Sequence, residues 1–270
     1  MLIEMIAVRL FLFQIDALHL ENQSGLDYNQ YSLFKYGDRE ATKQFGESLS
    51  NLLIDADAVS DTGDSYLISC SPYKNVPVAA KYLMDSVVDN LKGNRVNAED
   101  FKIDRSGVTK GDYSKMSIEE RTEAQNDINL TVDQDLTGKE VILVDDVYIT
   151  GAHEVRLREF FKSQNVKKVT FLYIALVSHG IDNPSVESFL NSSKMQNWKD
   201  WLDMALNYPY LNTRFLKYLL NIDISSYNVI LSKIGTTCRD YVRGIELDNI
   251  QVGKQEANFE IFKSKCNKLR

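Results

Sequence analysis

The 270-residue sequence is poor in the residues that staple or metallate small domains. Its three cysteines, Cys70, Cys238 and Cys266, are widely spaced and odd in number, which argues against a disulfide framework or a zinc site and predicts a reducing, cytoplasmic setting. The three histidines, His19, His153 and His179, stand at no metal-binding spacing. Basic residues do not predominate: 31 Lys and Arg against 38 Asp and Glu leave a formal charge of −7. Nothing global therefore points to nucleic acid, although local basic groups suffice to hold an anion. No stretch reaches the ~18 uncharged apolar residues of a membrane helix. The N-terminal run MLIEMIAVRLFLFQIDALHL is interrupted by Glu4, Arg9 and Asp16 and no small-residue cleavage site follows, so it reads as a buried strand or helix rather than a leader. No G-x-x-x-x-G-K-[ST] loop occurs, which removes the P-loop ATPases.

The apolar share is 44%, enough for a real core, and the length suits one large domain or one domain with an appendage. Residues 38–54 place Ala41, Phe45, Leu49, Leu52 and Leu53 on one helical face. SYLIS, residues 65–69, predicts a strand, and CSPYKNVP a loop whose Pro77 opens a helix carrying Ala80, Leu83, Met84, Val87, Val88 and Leu91, with Gly93 as its stop. FKI, residues 101–103, predicts a short strand. Residues 104–137 are polar and aperiodic, the texture of a lid or binding loop. VILV then predicts a strand, residues 154–164 a helix, and KKVTFLYIALVS a strand buried on both faces. Such alternation predicts a parallel α/β sheet flanked by helices. Beyond about residue 181, helical spacing and aromatics predict several short helices.

The chemistry concentrates in GKEVILVDDVYITGAHE. Asp145 and Asp146 stand at a strand's carboxyl end, where open parallel sheets take their ligands. Thr150, Gly151 and Ala152 form a small-residue turn into a helix whose first amides and dipole suit a phosphate. The carboxylates suit sugar hydroxyls, or a magnesium ion and its waters. A bland alternative is a capped helix after an ordinary turn.

The string EVILVDDVYITGAHE resembles the phosphoribosyl-diphosphate (PRPP) motif of type I phosphoribosyltransferases. The resemblance implies that Asp145 and Asp146 hold the ribose hydroxyls and act in catalysis. It also implies that residues Asp145, Asp146, Val147, Tyr148, Ile149, Thr150, Gly151, Ala152 and His153 bind ribose 5-phosphate. Two positions depart from the pattern: Ile149 and His153 replace hydroxyl residues, and His153 serves either as a substitute donor or as a cover for the helix start. YLISCSPYKNVPVAAKYL looks like the family's first strand–loop–helix, which implies pyrophosphate contacts from Ser71, Tyr73, Lys74 and Asn75, although this loop has no glycine. The polar segment SIEER, followed by GKEVILVDD, is similar to the ComF-like subgroup and implies a mobile hood loop carrying Lys110, Tyr113, Lys115 and Arg121.

The implied organisation is an α/β domain over residues 1–182, its hood loop at about 104–137, and a helical C-terminal region over 183–270. The implied reaction transfers ribose 5-phosphate from PRPP to a nitrogen acceptor and releases pyrophosphate. Magnesium would enter mainly with PRPP, with no direct protein ligand assigned beyond water-mediated contact to Asp145 or Asp146. A non-catalytic PRPP- or nucleotide-binding module on the same fold stays open as the alternative. The expected partners are small molecules, with the C-terminal helices as the surface for a second copy or another protein. No membrane partner is expected.

Overall fold

A computed structural model describes residues 5–16, 25–61, 63, 65–106, 129–178, 185–207, 209–220 and 259–264. The strands are β1 (Ile6–Ile15), β2 (Tyr66–Cys70), β3 (Ala98–Asp100), β4 (Asp104–Ser106), β5 (Asn129–Thr131), β6 (Glu140–Tyr148) and β7 (Lys168–Val177). The helices are α1 (Tyr28–Lys35), α2 (Arg39–Asp55), α3 (Ala79–Gly93), α4 (Ala152–Ser163), α5 (Ser185–Ser192), α6 (Trp198–Leu206) and α7 (Thr213–Leu219). The chain forms two compact units, one of Met1–Asp27, Thr42–Pro72 and Ala80–Phe189, the other of Tyr28–Ala41, Tyr73–Ala79 and Leu190–Arg270.

The first unit is built on a five-stranded sheet in the order β1–β7–β6–β2–β3, parallel throughout. The central strands earn that place by composition: β7, KVTFLYIALV, is buried along nearly its whole length, as a parallel strand covered on both faces requires. Val141, Leu143, Val169, Phe171 and Tyr173 pack with Leu157, Phe160 and Phe161 of α4 in one core cluster. Each such fully buried side chain contributes about 1.5–3 kcal/mol. The predicted N-terminal strand forms, but not as a buried one. Among the described residues β1 lies at the sheet's edge, paired with β7, and Ile6 remains 57% exposed.

Helices α2 and α3 follow the predicted apolar faces, with Phe45, Leu49 and Leu53 on one and Leu83, Val87 and Leu91 on the other fully or nearly buried. They approach so closely at Gly46 that a Cβ there would lie 2.4 Å from the Ser86 Cβ. The strand expected at residues 101–103 sits three residues earlier: β3 pairs Ala98 with Tyr66 and Asp100 with Ile68. Phe101 and Ile103 then turn into the core, where their apolar side chains are buried. The polar stretch after them is not loop throughout, because its two ends pair as an antiparallel ribbon, Ser106 opposite Asn129 and Asp104 opposite Thr131.

The second unit is helical and draws on three parts of the chain. Trp201, Phe215, Leu216, Leu219, Leu220 and Phe262 form its core together with Val76. The Trp201 ring stacks on Tyr218 and takes Tyr36 edge-on. Asn212 caps α7, its Oδ1 accepting from the amides of Arg214 and Phe215 at 3.0 and 2.9 Å while its Nδ2 donates to the Lys35 carbonyl. α1, which the sequence pattern did not announce, joins here because Tyr31 and Phe34 bury their rings.

Candidate functional site

The sheet order sets the location. From β2 the chain crosses through α3 to β3 on one side, and from β6 through α4 to β7 on the other. The carboxyl ends of β2 and β6, adjacent strands paired from Leu67↔Val141 to Cys70↔Val144, are therefore the topological switch point. Asp145 and Asp146 follow Val144, the last residue of β6 paired with β2, and Ser71 follows β2. The strand runs through both aspartates to Tyr148 rather than stopping before them, because Asp145 and Val147 still find partners in Tyr173 and Ala175 of β7.

Both carboxylates are nearly buried, at 8% and 9% exposure. Asp145 Oδ1 accepts from the Asp146 amide at 2.9 Å. Burial and the neighbouring Asp146 carboxylate push the Asp145 carboxyl well above the ordinary carboxylate range, and the Ser71 hydroxyl bond opposes them.

The turn after β6 is shaped by Gly151, which stands at φ 77 and ψ −5 as the N-cap of α4 with no side-chain cap bond. Any other residue would be strained there, and its Cβ would lie 2.4 Å from the Tyr148 hydroxyl. The first-turn amides of α4 consequently face the turn without a side chain competing for them. Ile149 is buried, so its departure from the hydroxyl pattern fills core rather than solvent.

His153 links the two loops. Its Nε2 lies 3.2 Å from the Ser71 hydroxyl and 3.7 Å from Asp145 Oδ2. Burial and the Arg105 guanidinium lower its pKa to about 4 against the opposing pull of Asp146 and Glu154, although 33% of its side chain meets solvent. Burial works against the charged form of both groups in this 3.7 Å contact. Cys70 is no rival nucleophile, since burial holds its thiol protonated.

Of the predicted residues, Ser71, Asp145, Asp146 and the 149–153 turn thus come together at one end of the first unit. Tyr73, Lys74 and Asn75 belong to the second unit, where the loop is pinned: the Thr213 amide donates to the Pro77 carbonyl at 2.8 Å and its hydroxyl reaches the carbonyls of Val76 and Pro77 at 3.2 and 3.1 Å. Lys110, Tyr113, Lys115 and Arg121 lie outside the described residues. Sequence reasoning missed Arg105, which bears on His153 from β4, and the buried carboxylate of Glu154 with its partners Arg9, Arg158 and Tyr173. The one signal was a charged residue, Arg9, inside an apolar strand.

A magnesium ion fits this donor set only in part. Asp145 and Asp146 offer carboxylate oxygens, the ligands it prefers. Among the described residues, no group of three or more His, Cys, Asp or Glu is placed to hold a metal ion, so an ion used here would bring oxygens of its own from the ligand. Among the described residues, no helix is long and apolar enough to cross a membrane.

A family model described as PRTase ComF-like matches residues 6–248. No curated protein matches the chain. Solved structures similar to it include a hypoxanthine-guanine phosphoribosyltransferase from Bacillus anthracis, at 18% identity over 52% of this chain and 71% of that one with a TM-score of 0.37. A hypoxanthine phosphoribosyltransferase from Staphylococcus aureus matches at 12% identity over 54% and 67%, TM-score 0.37. One from Trypanosoma cruzi, in complex with the product IMP, matches at 10% identity over 52% and 68%, TM-score 0.36.

Proposed function

The chain belongs to the PRTase ComF-like family, and from that premise we propose that it transfers ribose 5-phosphate from PRPP to a nitrogen acceptor and releases pyrophosphate. The observation that carries this reading is the pairing of two buried carboxylates with a glycine-shaped turn at the switch point of a parallel sheet. In this reading Asp145 and Asp146 accept from the ribose hydroxyls. The amides at the start of α4, the Thr150 hydroxyl and the rest of residues 149–153 receive the 5-phosphate. Ser71, Tyr73, Lys74 and Asn75 receive pyrophosphate.

The acceptor nitrogen's lone pair forms the bond to C1′ as the C1′–oxygen bond breaks. The bonding electrons leave with pyrophosphate, and the nitrogen gives up a proton. Positive charge develops on the ribose, and the carboxylates of Asp145 and Asp146 stabilise it. Magnesium, held through water to Asp145 or Asp146 and mainly by the substrate, would neutralise the leaving diphosphate. Holding the two reactants in line supplies much of the rest. The odd-numbered, widely spaced cysteines support a cytoplasmic setting for this reading, and the C-terminal helices are the surface proposed for a second copy or a protein partner.

One observation favours a second reading, a module that binds PRPP or a nucleotide without turnover: the buried Ile149 offers the turn no polar group. Calorimetric titration with PRPP and magnesium, followed by pyrophosphate release across a panel of purine, pyrimidine and other nitrogen acceptors, separates the two. Binding with release supports the transferase, binding without release the module, and no binding overturns both.

A further inference from the structure

A single guanidinium braces both flanks of the turn after β6. Arg9, on edge strand β1, donates from Nε to Glu154 Oε2 at 2.6 Å. The same Arg9 places its Cζ 4.4 Å from the centroid of the Tyr148 ring. Tyr148 is the last residue of β6 before the turn, and its hydroxyl abuts Gly151 closely enough that no Cβ fits between them. Glu154 is the third residue of α4, immediately after His153, and is 2% exposed. Its carboxylate is completed by Arg158 Nε at 2.6 Å and by the Tyr173 hydroxyl, which donates at 3.1 Å.

The arrangement is costly unless it serves something. A buried carboxylate in the first turn of α4 opposes an incoming phosphate at the same helix end. Arg9 and Arg158 offset that charge while leaving it fixed. Glu154 raises the guanidinium pKa of Arg9 further, so the brace stays cationic throughout the useful pH range. Lysine does not substitute: it lacks a planar group able to stack on Tyr148 and bond Glu154 at once.

We propose that Arg9 is a positioning residue for the phosphate turn, holding Tyr148 and Glu154 so that Gly151 and the first amides of α4 keep the geometry that receives a sugar phosphate. The inference rests on the ribose-phosphate reading of that turn and extends the site to the edge strand, which no motif marks.

The test measures binding of two probes, ribose 5-phosphate and pyrophosphate with magnesium, by calorimetry, alongside the melting temperature of each variant. Arg9→Ala and Arg9→Lys should each weaken ribose 5-phosphate about tenfold while pyrophosphate binding stays within about twofold. A merely structural role would move both probes or only the melting temperature. Tyr148→Leu should reproduce the loss, and the double variant Arg9→Ala/Tyr148→Leu should add little to either, since the two act as one brace. Because Arg9 is 37% exposed on an edge strand, its variants are expected to fold; Arg9→Gln provides a second, polar replacement. Ribose 5-phosphate affinity within twofold of wild type in all three Arg9 variants overturns the proposal. Absence of ribose 5-phosphate binding by the wild type overturns the ribose-phosphate reading and the brace with it.

Discussion

The two loops at the switch point of the sheet solve the same geometric problem by opposite means. The loop after β6 is conformationally specified from within: Gly151 supplies a positive φ, Tyr148 occupies the space a side chain would need, and helix α4 begins at once. The loop after β2 has no glycine between Cys70 and Val76 and is specified from outside, its carbonyls at 76 and 77 pinned by Thr213 and its Val76 side chain buried in the helical core. The first loop takes its backbone turn from the local chain, with distant Arg9 touching only its flanks, Tyr148 and Glu154; the second is held by a helix more than a hundred residues later in sequence. A loop without glycine is therefore not a loop without a defined backbone; its definition has moved elsewhere.

Substitutions can break this contrast, and the largest effect belongs to the carboxylates beside the self-specified loop. Asp145→Asn/Asp146→Asn should lower PRPP-dependent pyrophosphate release by about 10²–10³-fold, measured against the wild type with a responsive acceptor. Gly151→Ala comes next: left-handed backbone costs a non-glycine residue about 1–2 kcal/mol, before the clash with Tyr148. Ribose 5-phosphate affinity should fall by at least tenfold, whereas Asn75→Ala in the other loop should leave it unchanged; equal losses would erase the distinction between the loops.

Thr213→Val tests the externally held loop. Losing the hydroxyl's bonds to two carbonyls should cost about 1 kcal/mol and weaken pyrophosphate–magnesium severalfold, with ribose 5-phosphate affinity retained. The smallest effect is on pH dependence. Asp145 binds its proton more tightly in the folded than in the unfolded chain, so stability falls as pH rises from its ordinary 3.8 toward its raised folded value. His153 is lowered from 6.5 to about 4, so its contribution rises with pH across that interval and opposes the first. Of these two groups only Asp145 still changes above about pH 6.5, until the pH passes its raised folded value; the raised Cys70 thiol and Tyr173 hydroxyl add losses of the same sign further into the alkaline range. Thermal melts of the free protein should decline between about pH 6.5 and 8, and Asp145→Asn should flatten that part of the decline; a decline there unchanged in the variant assigns it to another group.

Much of the fold was readable because its signals are local. Alternating apolar strands and amphipathic helices announced β2, α3, β6, α4 and β7, and Pro77 and Gly93 marked the ends of α3 within two residues. The Asp145–Asp146 pair and the turn to Gly151 were legible because strand end, turn and helix start lie consecutively in the chain. Arg9 and Glu154 were not, since they meet across 145 positions through parallel pairing, and nothing at either position signals the other. Glu154 at a helix start looks like an ordinary exposed residue favoured by the dipole. The N-terminal strand's edge position, with the exposure that follows, also depended on a strand order that periodicity does not encode. α1 escaped because its eight residues are too few to show a sustained apolar stripe.

The pairing of β1 with β7 has a consequence for how the molecule is made. Ile6 leaves the ribosome well before its partner Lys168, which follows only after β2, α3 and β6 have been synthesised. Until then β1 is an apolar strand with both edges open, the kind of segment that pairs with wrong neighbours and that chaperones shield. If Arg9 braces the phosphate turn, sugar-phosphate competence arrives with this long-range closure rather than with the strand that carries the aspartates. A nascent chain halted before residue 168 should hold its motif complete and its site unfinished.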